Sequence, residues 1–374
     1  MTRSAWVASA KRSPVAPTGG ILAGFEVFEV AAPVMKACLD EVECPPDLVD
    51  EVILGNALYA GGNPARMAVL EAGLPDTVAG LTIDRQCAGG LDAVALAKFL
   101  VESGAADVVL AGGAESHSRR PERRARLPGG GDPIAYERPP FAPFSDRDPD
   151  LHEAASRLAR ELGISRDRQD FWSVDSHRKA LTASDRLSRE IVVPGPGEQA
   201  RDTFTRVLTM ETCRRAPVLA GSITRANASV SADAAAFLLV VEERMLPRLR
   251  CRDTVRISRA ATLGGAPELP GLAPVAAIET VLETSGWKVS DMIVGEVMEA
   301  YAAQAIACTD LTGLDPGRVN PGGGSLARGH PIGASGAVLA VRLFHELGRA
   351  SFDGPGLAAI ASAGGIGTAV LFSA

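Results

Sequence analysis

Along this chain, short apolar runs alternate with stretches whose apolar residues recur at helical spacing. "AWVASA" near the start reads as a strand, and "FEVAAPVMKACLDE" as an amphipathic helix. "VDEVILGNA" predicts a buried strand, and "LTIDRQC" leads into "GGLDAVALAKFLVESG", a helix closed by Gly104. "ADVVLAGGAES" follows, a β-branched run ending in paired glycines. Strands alternating with helices predict an α/β architecture. From about Ser116 to about Asp150 the pattern lapses into a Pro-, Gly- and Arg-rich excursion without period, read as a long surface loop that is either functional or disordered. Helical signals return in "LHEAASRLARELGISRDRQDFWSVDSHRKAL".

The last third echoes the first. "GHPIGASGAVLAVRLFHELG" parallels "CAGGLDAVALAKFLVESG": a reactive residue, small residues, then a helix ending at glycine. "GLAAIASAGGIGTAVLF" parallels "ADVVLAGGAES", a strand running into Gly-Gly. A duplicated α/β unit is the expectation.

Composition narrows the class. The 374 residues are 46% hydrophobic and 22% charged, enough to bury a large core. A net charge of -7 argues against nucleic acid as a partner. No apolar run reaches membrane-spanning length, since "AVLAVRLFHELG" is interrupted by Arg342 and His345. "MTRSAWVASAKRSPV" lacks the apolar core of a signal peptide. The six cysteines are scattered, with no CxxC pair and no zinc-type spacing, so neither a disulfide framework nor a metal site is expected. A reducing, cytoplasmic setting is the expectation.

Four stretches could carry chemistry. Cys87, in "TIDRQCAGGL", stands where a strand gives way to a helix N-terminus. The helix dipole there can depress a thiol pKa from about 8.5 into the range of about 3.5–7.5. The uncovered N–H groups of Ala88-Gly89-Gly90 could form an oxyanion hole. His330, in "NPGGGSLARGHPIGASG", is fixed between Gly329 and Pro331 in the matching turn of the second repeat. A Cys/His pair across the pseudo-twofold is therefore expected, with His330 as base. "SAGGIG" (Ser362–Gly367) is a glycine turn with free N–H donors and fits no dinucleotide fingerprint. "RRPERRAR" (Arg119–Arg126) is either a solvated face or a phosphate clamp. His117, His152, His177 and His345 show no partner pattern and read as surface or helix residues.

Taken together these blocks resemble the thiolase family. "NALYAGGNPARMAVLEAGLP", "TIDRQCAGGLDAVALA" and "ADVVLAGGAESHS" are similar to its N-terminal half, and "GSITRANASVSADAAAFLLV" to its Thr-x-x-Asn-Ala-Ser segment. "VMEAYAAQ", "VNPGGGSLARGHPIGASGA" and "SAGGIGTAVLF" are similar to its three C-terminal catalytic blocks. The resemblance implies two βαβαβαββ halves in a five-layer αβαβα core with a cap or loop domain. Residues 1–115 with 220–250 would form the N-terminal half, 116–219 the cap, and 251–374 the C-terminal half. It implies a homodimer or homotetramer and leaves room for a partner enzyme. Acyl-CoA enters as substrate, and no cofactor is implied. Cys87 matches the nucleophile, and His330 the residue that activates it and donates to a thioester carbonyl. Ser229 matches a serine lining the pantetheine channel, with Leu151, Ala300 and Tyr301 in the matching substrate-binding blocks. The N–H groups of Cys87 and Ala363 match an oxyanion hole.

Several departures bear on function. The family's Asn-Glu-Ala-Phe block reads Met298-Glu299-Ala300-Tyr301, so the water-positioning Asn is Met298. Loss of one oxyanion donor costs about 10²–10³-fold in rate. The second catalytic cysteine, which moves the α-proton, is Ala361. The usual Met-Gly start of the cap helix is Leu151-His152. The expected function is an acyltransferase that forms an acyl-Cys87 thioester and passes the acyl group to an amine, an alcohol, another thiol or a decarboxylating malonyl-type donor. The alternatives are an ordinary acetyl-CoA C-acyltransferase with Glu299, His330 or a substrate group as base, and a non-catalytic coenzyme A-binding scaffold.

Overall fold

The computed structural model describes residues 3–59, 61–193, 200–349 and 354–373. Its apolar runs and helical repeats become two copies of one unit. The first comprises β1 (Ala5–Arg12), α1 (Val27–Glu41), β2 (Glu51–Gly55), α2 (Pro64–Glu71), β3 (Ala79–Ile83), α3 (Gly89–Ser103) and β4 (Val108–Glu115). The chain then leaves the sheet through α4 (Leu151–Glu161) and α5 (Arg166–Thr182) and returns in β5 (Ala232–Glu242). The second copy is β6 (Val255–Gly264), α6 (Ala273–Ser285), β7 (Val294–Val297), α7 (Ala302–Thr312), α8 (Ser335–Leu347), β8 (Pro355–Ser362) and β9 (Ile366–Ser373). Where the first copy has β3, the second has a single parallel bridge, Gly295 to Val319.

The strands form one ten-stranded sheet in the order β7-β8-β9-β6-β1-β5-β4-β2-β3, with Ala16–Pro17 pairing off β5. The two copies join at β1 and β6 through only Trp6–Arg256 and Val7–Val255. The layering follows from alternation along the strands. In β5, Ala232, Ala234, Ala236, Leu238 and Val240 face a central core shared with α3 and α8. Ala235, Phe237, Leu239 and Val241 face an outer core closed by α1 and α2. The second copy repeats this on its far side with α6 and α7. Helices, sheet, helix pair, sheet and helices give five layers, the thiolase arrangement expected from the sequence.

In the middle layer α3 and α8 nearly touch. A Cβ on Gly336 would lie 2.5 Å from the Leu91 nitrogen, and one on Gly90 would lie 2.7 Å from the Ala337 nitrogen. The small residues that open both helices are therefore required by backbone approach.

The excursion after Ser116 is more ordered than its composition predicts. Arg123–Ala125 and Ile134–Tyr136 pair as a short antiparallel hairpin. The Arg123–Tyr136, Arg124–Ala135 and Ala125–Ile134 pairs across the hairpin have no apolar alternation to announce them. The helical stretch after Asp150 is two helices, because the chain turns at Gly163 and restarts from the Ser165 N-cap.

Candidate active site

Cys87 and His330 meet in one cavity, from equivalent turns of the two copies. Cys87 lies in the 3-10 turn Gln86–Ala88 that opens α3. The residue before it, Gln86, has φ 48°, and its N–H donates to the Asp84 carboxylate at 2.8 Å. This left-handed position costs roughly 1 kcal/mol or more and turns the sulfur inward. His330 follows Gly329, whose φ of 116° favours glycine, and is pinned by its own N–H to the Val230 carbonyl at 2.7 Å. Its loop is clamped to the first copy by buried Glu115. That carboxylate accepts N–H groups from Ala57, Leu58 and Gly333 and the amide of Asn56. Burial lifts Glu115 to about 7 against those donors.

The pair itself is oriented by a third residue that the sequence reading missed. His330 Nε2 lies 3.2 Å from Cys87 Sγ, and Nδ1 lies 2.6 Å from Ser335 Oγ. The Ser335 hydroxyl donates to the Pro331 carbonyl at 3.0 Å. With that proton committed, Ser335 accepts from Nδ1–H, which leaves Nε2 unprotonated and facing the thiol. Ser335 stands in the quoted glycine-rich block, but only the turn at Pro331–Ala334 brings it beneath the ring.

The helix terminus does not depress the thiol as the sequence suggested. Desolvation raises Cys87 to about 12, against the opposing pull of the Cys87 and Ala363 N–H groups and with Glu115 and Asp84 adding to the rise. Burial also lowers His330 to about 4, with His117 acting in the same sense. Desolvation penalises both charged forms and outweighs half a dipole charge. The resting pair is a neutral thiol and a neutral imidazole, so the sulfur ionises only as its proton crosses to Nε2.

The cavity holds about 210 Å³. Cys87, His330, Ser229, Ala300, Tyr301, Leu151, Ala361 and Ala363 all line it. The Cys87 and Ala363 N–H groups both bear on the sulfur and oppose the rise of its pKa. Ser229 donates its hydroxyl to the Glu299 carbonyl and its N–H to the Ala300 carbonyl. Ser362 also reaches the wall, but its hydroxyl is bound to the Arg85 carbonyl at 2.8 Å.

Other expected residues lie elsewhere. Met298 is fully buried in the central core, and its sulfur accepts from Ser325 Oγ at 3.3 Å. Glu299 is no candidate base. Its carboxylate accepts from Trp172, Ser176, Asn320 and the Leu326 N–H and does not reach the cavity. None of the arginines from Arg119 to Arg126 lines the cavity. Arg119 pairs with Glu26, Arg120 with His117 and Arg124 with Glu122, and Arg123 donates to the Ala57 carbonyl.

Among the remaining histidines, His177 is buried in α5 and His345 reaches the Ala10 carbonyl. His152 is different, because it lines the Cys87 cavity. Its Nδ1 lies 3.0 Å from the Tyr301 hydroxyl, with the rings edge to face at 5.7 Å. Burial raises the Tyr301 phenol, and Asp150 and Cys87 push it the same way, so it keeps its proton. Among the described residues no group of His, Cys, Asp and Glu could hold a metal ion.

Known proteins share this architecture. The "Thiolase, N-terminal domain" family matches residues 5–244, and "Thiolase, C-terminal domain" matches residues 251–374. The chain is 39% identical over 376 residues to "Putative acetyl-CoA C-acetyltransferase YhfS" of Bacillus subtilis, covering 99% of each. It is 35% identical over 379 residues to "Putative acetyl-CoA C-acetyltransferase VraB" of Staphylococcus aureus, covering 98% of each. The crystal structure of the Bacillus anthracis acetyl-CoA acetyltransferase superposes with a TM-score of 0.92 at 32% identity, over 100% of this chain and 99% of that one. A paired thiol and imidazole at the seam of two related α/β repeats, in a chain matched along almost its whole length, leave one assignment: this protein belongs to the thiolase family and is an acyltransferase of that superfamily.

Proposed function

We propose that this chain takes an acyl group from an acyl-CoA onto the Cys87 sulfur and hands it to an acceptor whose attack requires no α-carbon deprotonation at position 361. One observation carries the reading. The Cys87–His330 pair sits at 3.2 Å in a cavity whose wall, at the position of the family's second thiol, is the methyl of Ala361. As the sulfur attacks the thioester carbonyl, His330 Nε2 accepts its proton, and the developing oxyanion turns to the Cys87 and Ala363 N–H groups. Collapse expels coenzyme A, which recovers the proton from His330. Leu151, Ser229, Ala300 and Tyr301 line the approach and suit a pantetheine arm.

A methyl group can neither abstract nor return a proton, so the carbon–carbon step of an ordinary thiolase lacks its usual base. The names of the relatives favour a second reading, an acetyl-CoA C-acetyltransferase with a substitute base. Incubation with acetyl-CoA and longer acyl-CoAs, followed by mass spectrometry, tests the first half: an acyl adduct on Cys87 is expected, and none with any donor overturns it. Thiolysis of acetoacetyl-CoA separates the readings. Turnover at the level of an ordinary thiolase favours the second.

We further infer a cytoplasmic homodimer or homotetramer. Six free cysteines suit a reducing compartment. The edge strand β3, with Leu81 exposed, offers an edge for a second copy. No helix among the described residues is long and apolar enough to cross a membrane.

A further inference from the structure

The cavity contains a second imidazole that the acyl-loading step does not use. His152 and Tyr301 both depart from the family pattern, one replacing the Gly of Met-Gly and the other the Phe of Asn-Glu-Ala-Phe. They arise on different elements, the first turn of α4 and the residue before α7, and they contact each other at 3.0 Å. Both line the wall that holds Cys87 and Ala361. A chain with no proton-transfer group at Ala361 thus holds one at His152 in the same cavity.

The hydrogen bonding gives this group a direction. His330 has both ring nitrogens engaged, by Cys87 and by Ser335. His152 has Nδ1 on Tyr301, and among the described residues Nε2 has no hydrogen-bond partner. If Nδ1–H donates to the Tyr301 oxygen, the Nε2 lone pair is free. Asp150 caps α4 beside it through the His152 and Glu153 N–H groups. The titratable groups lining the cavity are Cys87, His152, Tyr301 and His330. Around α4, Glu268 is held by Arg147 and Asp310 by Arg168, so neither carboxylate is spare.

We propose that His152, held by Tyr301, is the base that takes the proton from an N–H or O–H acceptor as it attacks the acyl group on Cys87. This rests on the acyl-Cys87 reading above. The new carbon–heteroatom bond forms as the proton passes to His152 Nε2, and the carbonyl becomes an oxyanion. Its collapse breaks the C–S bond, sulfur leaves with the electron pair, and the proton carried by His152 returns to it. Nothing is oxidised or reduced. Tyr301 is a positioning residue in this scheme.

The test starts from acetyl-Cys87 enzyme freed of excess acetyl-CoA, and times its discharge. Methanol and ethylamine serve as probes that need a base, their ester and amide products separating O–H from N–H acceptors. Hydroxylamine, a free base at neutral pH, serves as the probe that does not. In the wild type, discharge to at least one base-requiring probe, with ethylamine rates referred to its uncharged fraction, should rise with pH through a single basic limb. His152→Gln should lose that limb and slow by about 10²–10⁴-fold, the usual weight of general-base catalysis. Tyr301→Phe should shift the limb, and His152→Gly should recover with added imidazole. Hydroxylamine discharge should fall far less than methanol or ethylamine discharge in each variant. A wild type with no such limb, or variants that discharge to methanol and ethylamine as fast as wild type, would overturn the role of His152 while leaving acyl loading intact. A wild type that never acylates removes the parent reading and this one with it.

Discussion

At the scale of single residues, desolvation decides the chemistry. Cys87 sits at a helix tip, where a depressed pKa is the natural first expectation, yet burial lifts it to about 12. The sign has a direct consequence for reactivity. A raised thiol pKa means that the thiolate fraction is small at neutral pH and grows tenfold per pH unit. Alkylation of Cys87 by iodoacetamide should therefore climb steadily from pH 7 to beyond 9, and a plateau below pH 8 would contradict the neutral pair. The methyl of Ala361 makes the second residue-scale prediction. Ala361→Cys restores a thiol to the cavity wall and should raise acetoacetyl-CoA thiolysis by at least about 10²-fold, the low end of what general acid–base catalysis contributes. Unchanged thiolysis would show that the missing thiol is not what limits carbon–carbon chemistry. These two residues were legible in the sequence because each stands at a catalytic position of a block that resembles the thiolase family. Ser335 and His152 were not, because their roles depend on contacts the sequence does not display.

At the scale of elements, β7 carries an unusual burden. Glu296 is fully buried, and neither carboxylate oxygen has a hydrogen-bond partner among the described residues. Its nearest charge is Arg342 of α8, at 3.9 Å, and that guanidinium is already shared with Glu190 and Glu346. Burial raises Glu296 from 4.5 to about 7, with Arg342 opposing. A group held above its unfolded pKa contributes stability that is complete below about 4.5 and is lost as pH rises through about 7. Glu296→Gln should remove that loss, so urea unfolding of the variant relative to wild type should improve between pH 5 and pH 8 by of order 1–3 kcal/mol. An identical pH dependence in both proteins would place the proton elsewhere. The elements were largely foreseeable, since period-2 and period-3.6 patterns survive in the core strands and helices. The Arg123–Ala125 and Ile134–Tyr136 hairpin was not, because both strands are too short to repeat a pattern.

At the scale of the whole molecule, the two copies are joined at the β1–β6 seam, where α3 meets α8, and through Glu115 to the His330 loop. The active-site pair lies across that junction. Unfolding should therefore be one cooperative transition by calorimetry, with neither copy melting first. Gly336→Ala places a Cβ 2.5 Å from the Leu91 nitrogen. It should lower the single transition as a whole, by about 1–3 kcal/mol of overpacking, because backbone cannot yield as a side chain would. A split into two transitions would mean that the copies are held together more weakly than their packing indicates.

The amino-acid sequence by itself determined the kinds of elements, their duplication, and the placing of a thiol and an imidazole in equivalent turns. All of these are local patterns, written within a few residues of one another. The matching turns made a Cys87–His330 pair the expectation, and tertiary structure set its geometry, a 3.2 Å contact between residues 243 positions apart. It also decided that both groups rest uncharged, that Glu299 is spent on structural contacts, and that a second imidazole enters the cavity. Those outcomes depend on which groups lose water together and which backbones come close enough to touch. Both are set by contacts between segments distant in the chain, and no period in the sequence records them.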